Sequence, residues 1–226
     1  MEIQRPPGKI FRLPLYKQLL AVFLRTFFHL LYHQFAWAYD WVAEIVSLGA
    51  WKNWVKSTGT YVDGPKTLEI GFGPGHLQVA LEQKGITTFG VDESSEMSRI
   101  ACKRLTSLGL PANLIRGDAL QLPFANLSFN QVILTFPSEY ILKPETLQEI
   151  HRVLVEGGSA FILPMAWITG KKPLHRLFAW INRITGKAPE WNEKSLEPWR
   201  NCGFDMSWEM IHMVSSKALL VKMRKL

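Results

Sequence analysis

The 226-residue sequence predicts an α/β fold in which a doubly wound, mainly parallel sheet carries helices on both faces. From residue 66 onwards, short apolar segments of strand length alternate with longer segments whose apolar residues recur at helical spacing. Such alternation is typical of parallel strands joined by crossover helices. Because these crossovers are almost always right-handed, the helices are expected on both faces of the sheet.

Turn residues and apolar runs place the elements along the chain. Strands are expected at 66–71, 87–92, 112–118, 129–136 and 159–165, and helices at 76–85, 95–109 and 144–158. Two more apolar segments, 204–213 and 217–223, flank Val214-Ser215-Ser216, which is typical of a hairpin turn. The full expectation is a Rossmann-like, seven-stranded sheet that ends in an antiparallel hairpin.

Two regions fall outside this alternation. Residues 1–62 are rich in aromatic side chains and are predicted to form an N-terminal helical lid or appendage to a domain spanning 63–226. Within that domain, a helical insert is expected after the fifth strand, at about 166–198. Both the segment 171–187 and the N-terminal segment 13–35 combine apolar positions with Lys and Arg, so both are predicted to be amphipathic helices. Such helices either pack on the domain or lie in a membrane interface, and both alternatives stay open.

The composition narrows the function classes. The formal net charge of +7 favours anionic partners, but no zinc-finger spacing, RNP-like motif or dense Lys/Arg run indicates nucleic acid, so none is expected. The histidines lack paired-ligand spacing, and no metal is expected. Cys102 and Cys202 lie far apart, as free thiols in a reducing cytosol would. Since neither a signal peptide nor a run of about 18 uncharged apolar residues is evident, the expected location is cytoplasmic.

The stretch TLEIGFGPGH, residues 67–76, carries the strongest motif. A buried strand runs into three glycines, which lets a ligand approach the backbone at the carboxyl edge of the sheet. A phosphate loop would need Gly-Lys-Ser/Thr, whereas His76 follows Gly75. The NAD fingerprint would need a small residue where His76 stands. The remaining pattern, acid-x-G-x-G-x-G, fits from Glu69 to Gly75 at every position.

This pattern resembles motif I of the class I S-adenosylmethionine-dependent methyltransferases. Other family motifs follow in order: Asp92 ends the second strand, and the stretches 116–134 and 150–163 resemble the third-to-fourth and fifth-strand signatures. Two departures occur, since Asn130 stands where the family usually has Asp, and Val155-Glu156 precede the two glycines of a usual K-P-G-G. The resemblance covers 66–164 and implies S-adenosyl-L-methionine as cofactor and S-adenosyl-L-homocysteine as product.

The resemblance also implies roles for individual residues. Asp92 would bind both ribose hydroxyls, since one carboxylate can accept two O–H bonds, and Asp118 would accept from the adenine amino group. Tyr39-Asp40 resemble the A-x-x-Y-D helix of the menaquinone/ubiquinone and sterol C-methyltransferase-like branch, which would place Tyr39 near the methionine end. The expected cofactor-binding residues are Glu69, Gly71, Phe72, Gly73, Gly75, Asp92, Glu93, Asp118, Ala119, Thr135 and Tyr39.

The acceptor is indicated less directly. Thr135-Phe136-Pro137-Ser138 lacks the Asn-Pro-Pro-Tyr/Phe of the family's adenine and amino-group N-methyltransferases, which disfavours a nucleobase amine. The branch resemblance and the two basic amphipathic segments instead indicate a small apolar or membrane-associated acceptor, such as a quinone precursor, and an anionic membrane surface as a further partner. Methylation of a quinone ring needs a base or water to remove a proton, and the candidate bases are Glu139, Tyr140 and His33.

Three alternative functions stay open at this point. The protein would methylate the amine of a phospholipid, or act as a non-catalytic S-adenosylmethionine-binding adaptor at a membrane, or be a nicotinamide oxidoreductase. Turnover with any methyl acceptor distinguishes a methyltransferase from the non-catalytic adaptor, and a nicotinamide titration tests the oxidoreductase alternative.

Overall fold

The computed structural model describes residues 39–170, 199 and 202–226. The segments 13–35, including the candidate base His33, and 171–187 therefore lie outside the described residues. The helices are α1 (Tyr39–Ser47), α2 (Trp51–Thr58), α3 (His76–Glu82), α4 (Ser95–Thr106) and α5 (Pro144–Val153), with a short 3₁₀ turn at Glu139–Leu142. The strands are β1 (Lys66–Ile70), β2 (Thr87–Asp92), β3 (Leu114–Arg116), β4 (Phe129–Thr135), β5 (Leu154–Ile168), β6 (Phe204–Met213) and β7 (Ser216–Lys225).

The strands form one seven-stranded sheet in the order β3-β2-β1-β4-β5-β7-β6. Strands β1 to β5 pair in parallel, and β7 runs antiparallel between β5 and β6. The predicted fold and its terminal hairpin are thereby confirmed. The strand order reverses between β1 and β4, and ligands of doubly wound sheets bind at the carboxyl ends of the strands beside such a reversal.

Apolar side chains cover both faces of the sheet, as alternation along a strand requires. In β4, Val132 and Leu134 belong to a core that includes Ile150 of α5. The residue between them, Ile133, faces the opposite core with Leu77 of α3. Helices therefore lie on both faces, as the sequence predicts.

The boundary between α5 and β5 differs from the expectation that the helix would continue to Gly157-Gly158. The helix ends at Val153, and Leu154 already pairs with Phe129 of β4. The strand then continues past Pro164 to Ile168. Proline has no amide hydrogen to donate to a ladder, and the pairing of β5 with β7 shifts register between Ile162 and Met165, so Pro164 lies at an irregularity.

A long-range hydrogen bond ties the helices before β1 to the sheet. The indole Nε1 of Trp54 in α2 donates to Oγ of Ser216 at the start of β7 over 2.9 Å. Trp54 also packs in an apolar cluster with Leu163 and Ala218. Helix α2 is thereby held against the β5–β7 part of the sheet, while the division of the chain at residue 62 stays a prediction.

Candidate cofactor site

The glycine-rich turn after β1 adopts backbone conformations that favour glycine. Gly71, Gly73 and Gly75 have φ angles of 75°, 51° and 80°, a region where a side chain is costly. The amide of Gly71 donates to the carbonyl of Val91 in β2 over 2.7 Å. A Cβ on Gly75 would lie 2.8 Å from Cβ of Ala101, so α4 packs directly on the turn. The turn is thus fixed between β2 and α4, and its residues 72–75 are buried.

Asp92 closes the site at the end of β2. Its side chain is buried, with a relative exposure of 3%. Oδ2 accepts a hydrogen bond from the amide of Gly73 over 2.8 Å, and Oδ1 accepts from the amide of Ser94 over 2.9 Å. The carboxylate therefore faces the glycine turn, where a ribose bound over the carboxyl ends of β1 and β2 would reach it.

Glu69 is a second buried carboxyl group beneath the turn, with 1% of its surface exposed. Oε2 accepts from Nε2 of Gln78 over 2.9 Å, a partner that the sequence analysis did not identify. Burial raises the pKa of Glu69 to about 8; the Gln78 hydrogen bond opposes this rise and the charge of Asp92 adds to it. A cation placed beside Glu69 would favour its ionised form. S-adenosylmethionine carries such charges, an ammonium and a sulfonium, so these two carboxyl groups fit it.

Two partly buried tyrosines border the same carboxylates. Burial raises the pKa of Tyr39, as do the charges of Asp40 and Asp92. Burial also raises the pKa of Tyr140, with further contributions from Asp92 and Glu69. The Tyr140 hydroxyl lies 2.8 Å from the position that a Cβ on Gly71 would take. Both phenols stay protonated at neutral pH and can donate hydrogen bonds, but Tyr140 is poorly suited to the role of general base.

The other predicted residues divide between the rim and the core. Phe72 is buried, and its ring lies against Gly90, where an added Cβ would be 2.6 Å away, so its side chain belongs to the core. Glu93 is exposed and its carbonyl accepts from Arg116 Nε. Asp118 is exposed too, and its Oδ1 accepts from the amide of Leu120 over 2.9 Å.

Three further candidates lie nearer the carboxyl end of β4 or the edge of the core. Ala119 packs against the main apolar cluster. Thr135 is the half-buried last residue of β4, and Glu139 is exposed at the start of the 3₁₀ turn. The structure therefore brings Glu69, the glycines, Asp92, Tyr39 and Tyr140 together, while the cofactor roles of all these residues stay predictions.

Within the described ranges, no group of three or more His, Cys, Asp and Glu side chains is arranged to hold a metal ion. None of the helices in those ranges is long and apolar enough to cross a membrane.

Comparison with known proteins agrees with this geometry. Residues 67–158 match the family model described as a methyltransferase domain. The ubiquinone/menaquinone biosynthesis C-methyltransferase UbiE of Blochmanniella floridana is 31% identical over 150 residues, which are 62% of this chain and 59% of that protein. The demethylmenaquinone methyltransferase of Thermobifida fusca is 28% identical over 65% of this chain and 64% of that protein. The aligned part of the chain thus spans about three fifths of the length of these curated relatives.

Solved structures share the fold at lower identity. A methyltransferase dependent on S-adenosylmethionine from Methanosarcina mazei superposes with a TM-score of 0.54 at 20% identity, over 75% of this chain and 97% of that one. Phosphoethanolamine N-methyltransferase 2 of Haemonchus contortus, in complex with S-adenosyl-L-methionine, gives 0.55 at 19% identity, over 78% of this chain and 53% of that one. Residues 67–158 therefore carry a methyltransferase domain, and the motif order and the sheet topology match those of the class I S-adenosylmethionine-dependent methyltransferases, with sequence similarity to the ubiquinone/menaquinone C-methyltransferases.

Proposed function

We propose that the protein transfers the methyl group of S-adenosylmethionine to a carbon atom of a quinone-type ring. The similarity to curated C-methyltransferases of ubiquinone and menaquinone biosynthesis supports this acceptor class. The structural observation that carries the proposal is a group of four packed aromatic rings, which we call the aromatic cluster: Tyr39, Trp51, Trp54 and Phe136.

The aromatic cluster connects the carboxylate end of the site with the carboxyl edge of β4. Tyr39, which interacts with Asp92, meets Trp51 edge-on with ring centroids 5.9 Å apart. The ring centroids of Trp51 and Phe136 lie 4.6 Å apart. Phe136 directly follows β4 and adopts a φ of 50°, an unusual angle for a residue with a bulky side chain. Flat apolar faces beside the cofactor site suit a planar ring, since aromatic pairs gain energy beyond the area they bury.

The cluster also offers a polar group to an acceptor. The Nε1 atom of Trp51 is buried and has no hydrogen-bond partner among the described residues. A buried donor without a partner is costly and calls for an explanation. A carbonyl or hydroxyl oxygen on an acceptor ring would provide the missing partner and would fix the orientation of the ring.

The chain's contribution to methyl transfer is alignment and exclusion of water. When bound, S-adenosylmethionine supplies an already activated methyl group, so neither a metal nor a covalent nucleophile is required. Asp92 and Glu69 supply negative charge for the cofactor. Tyr39 and Tyr140 supply phenol hydrogen-bond donors and apolar surface. Glu139, exposed at the rim, is the described side chain left as a candidate acceptor of the ring proton.

The acceptor is best tested by turnover. We expect methyl-labelled S-adenosylmethionine to label demethylmenaquinone or a related ring, and not phosphatidylethanolamine. Trp51→Phe should lower kcat/KM for the ring acceptor on the order of 5-fold to 10-fold, as loss of one hydrogen bond implies, without changing the affinity for S-adenosylhomocysteine. Trp208→Phe, a conservative change of an exposed indole on β6, is the control. Labelling of the phospholipid amine alone would contradict the proposal.

We also propose that the protein works in the cytoplasm at the surface of an anionic membrane, where apolar ring acceptors reside. The three exposed residues of α1, Trp41, Ile45 and Val46, are all large and apolar, with exposures of 72%, 63% and 51%. A surface helix ordinarily exposes charged or polar residues, whereas an interfacial helix exposes tryptophan and aliphatic residues. The net charge of +7 favours anionic lipid.

Vesicle sedimentation distinguishes two roles for the exposed face of α1. The face either binds a membrane surface or belongs to a lid that covers a water-soluble acceptor. We expect the protein to sediment with anionic but not neutral vesicles, and to be released near 1 M salt, where the Debye length is about 3 Å. The double variant Trp41→Ser/Ile45→Ser should weaken binding. Val214→Ser, which removes a still more exposed apolar side chain from the hairpin turn, should not. Protein that stays in the supernatant with both kinds of vesicle would refute the membrane proposal.

A further inference from the structure

A charged cluster formed by Asp40, His76 and Arg104 joins helix α1 to the glycine turn. Asp40 is the second residue of α1 and directly follows Tyr39, whose phenol lies beside Asp92. Oδ1 of Asp40 lies 3.0 Å from Nε2 of His76, the first residue of α3. Oδ2 of Asp40 accepts from Nη2 of Arg104, in the last turn of α4, over 2.6 Å. Both oxygens of one carboxylate are therefore bound by different helices.

Arg104 extends this cluster to the turn itself. Its second terminal nitrogen, Nη1, donates to the carbonyl of Pro74, which lies between the second and third glycines of the motif. One planar guanidinium thus bridges α1 and the loop that faces the cofactor. A guanidinium with its donors in a fixed fork suits such a two-sided contact, whereas an ammonium is a single point of charge.

The side chains of this charged cluster are partly exposed, so their ion pairs can both form and break. The Asp40, His76 and Arg104 side chains are 28%, 14% and 25% exposed. Ion pairs at this depth are weaker than buried ones, and solvent can reach them when they part. Burial would raise the pKa of Asp40, but hydrogen bonds and charges from His76 and Arg104 outweigh it and lower the pKa to about 2. The carboxylate therefore stays charged at neutral pH.

The other end of α1 is fixed by different contacts. Ser47, its last residue, accepts on Oγ from the amide of Trp51 over 2.9 Å, and only residues 48–50 separate α1 from α2. Glu44, one turn after Asp40, pairs with Lys52 of α2 over 2.8 Å. The C-terminal end of α1 is thus tied to its neighbouring helix, whereas its N-terminal end, which carries Tyr39, is linked to the glycine turn through Asp40.

From this arrangement we infer that Asp40 and Arg104 are positioning residues that hold α1 closed over the bound cofactor and so limit the rate at which the product leaves. Parting of the two side chains frees the N-terminal end of α1 and withdraws Tyr39 from the site. The inference rests on the proposed cofactor site but not on the identity of the acceptor.

The test uses the full chain and S-adenosylhomocysteine as the probe. Radiolabelled S-adenosylhomocysteine is bound to saturation and chased with excess unlabelled compound, and the dissociation rate constant is measured by rapid filtration. We expect Asp40→Asn to raise this rate constant about 10-fold, and Arg104→Gln to have a similar effect. The double variant should not exceed the larger single effect by more than about 2-fold, because either change opens the same link.

Two matched variants separate closure of α1 from general stability. Asp40→Glu keeps the charge and should restore the rate constant to within about 3-fold of the native value. Glu44→Gln removes an ion pair from the same helix without touching the glycine turn, and should leave the rate constant unchanged. If Asp40→Asn does not fold, Arg104→Lys, which keeps the charge and loses the fork, gives the same reading.

The outcomes distinguish this inference from the cofactor assignment. Failure of the native chain to bind S-adenosylhomocysteine by calorimetry would remove the cofactor site, and the inference with it. Normal binding with unchanged dissociation from Asp40→Asn and Arg104→Gln would overturn the inference alone. An equal acceleration by Glu44→Gln would also overturn it, since loss of any contact of α1 would then suffice.

Discussion

The amide of Gly73 donates to Oδ2 of Asp92 over 2.8 Å, so the middle of the glycine turn and the end of β2 form one hydrogen-bonded unit. The carboxylate is shared with the amide of Ser94, which precedes α4. Two of the acceptor positions of Asp92 are therefore occupied by backbone donors. Because the same carboxylate is expected to accept from the ribose hydroxyls, substitutions at Asp92 should affect both folding and binding.

Replacing Gly73 by valine should abolish S-adenosylhomocysteine binding. The position has a φ of 51°, which a β-branched residue tolerates poorly, and a side chain there would obstruct the approach of a ligand to the backbone. Calorimetry on the folded variant measures the effect. Gly85→Val is the control, because it meets similar strain at a φ of +77° while its Cβ has no neighbour within 4 Å. A folded Gly73→Val that binds normally would falsify the role of the turn.

Asp92→Ala should weaken S-adenosylhomocysteine binding about 30-fold to 1,000-fold, because two charge-assisted hydrogen bonds are worth roughly 2–4 kcal/mol. Asp118→Ala should cost less, about 1–2 kcal/mol, since it removes one bond to a neutral amine. Asp92→Asn, which keeps the shape and one acceptor oxygen, should fall between the native chain and Asp92→Ala. The exposed Asp205 on β6 provides a carboxylate control. If Asp92→Ala weakens S-adenosylhomocysteine binding by less than about 3-fold, Asp92 has a structural role alone and does not bind the ribose.

Glu69 should make the unliganded protein less stable as the pH rises. Its pKa is raised from an ordinary value near 4.5 to about 8 in the folded chain, so the folded state retains a proton that the unfolded state loses. Stability from this group is full below about pH 4.5 and is lost as pH rises towards 8. Between pH 5.5 and 7.5 the difference should be about 2–3 kcal/mol, at 1.36 kcal/mol per pH unit for one proton.

Urea unfolding of the native chain and of Glu69→Gln at the two pH values measures this difference. The substitution keeps the size of the side chain but cannot ionise, so subtracting its pH dependence isolates Glu69 from every other titrating group. Parallel stability curves for the two proteins would show that Glu69 does not hold a proton at neutral pH.

Tyr140→Phe should lower methyl transfer without removing any limb of its pH–rate profile. The raised pKa of Tyr140 keeps the phenol protonated, so its loss removes one donor rather than a base. A single neutral hydrogen bond is worth about 0.5–1.5 kcal/mol, which corresponds to about 2-fold to 10-fold in rate. Measurement of kcat/KM from pH 6 to 9 tests this, and loss of a pH-dependent limb in the variant would identify Tyr140 as the base after all.

Much of the fold can be predicted from local sequence patterns. Each motif lies at the end of a strand, and the residues of that strand and motif specify where the strand ends. Strand β2 occupies the predicted residues 87–92 without change. The error at the end of α5 has a tertiary cause, since Leu154 leaves a helical pattern to pair with Phe129 of β4. Local propensity does not encode which strand will compete for a residue.

The site was predictable only where a family motif carried it. Glu69 and Asp92 follow from motif order, and the structure places both beneath the glycine turn. The link between Asp40 and Arg104 joins residues 64 positions apart. No spacing rule could have paired them, because the contact exists only once α1 and α4 are packed on the same turn. Gln78 was missed for a different reason, since an isolated glutamine in an amphipathic helix ordinarily indicates a solvent-facing position.

The position of β7 has a consequence for biosynthesis. This last strand in sequence lies between β5 and β6 and contributes Leu219, Leu220 and Val221, which are fully buried. During translation, β6 emerges from the ribosome before the strand that joins it to the rest of the sheet. The edge of β5 therefore stays unpaired until residues 216–225 have been synthesised. A nascent chain that stalls before them would expose this edge, which chaperones would protect or proteases would recognise.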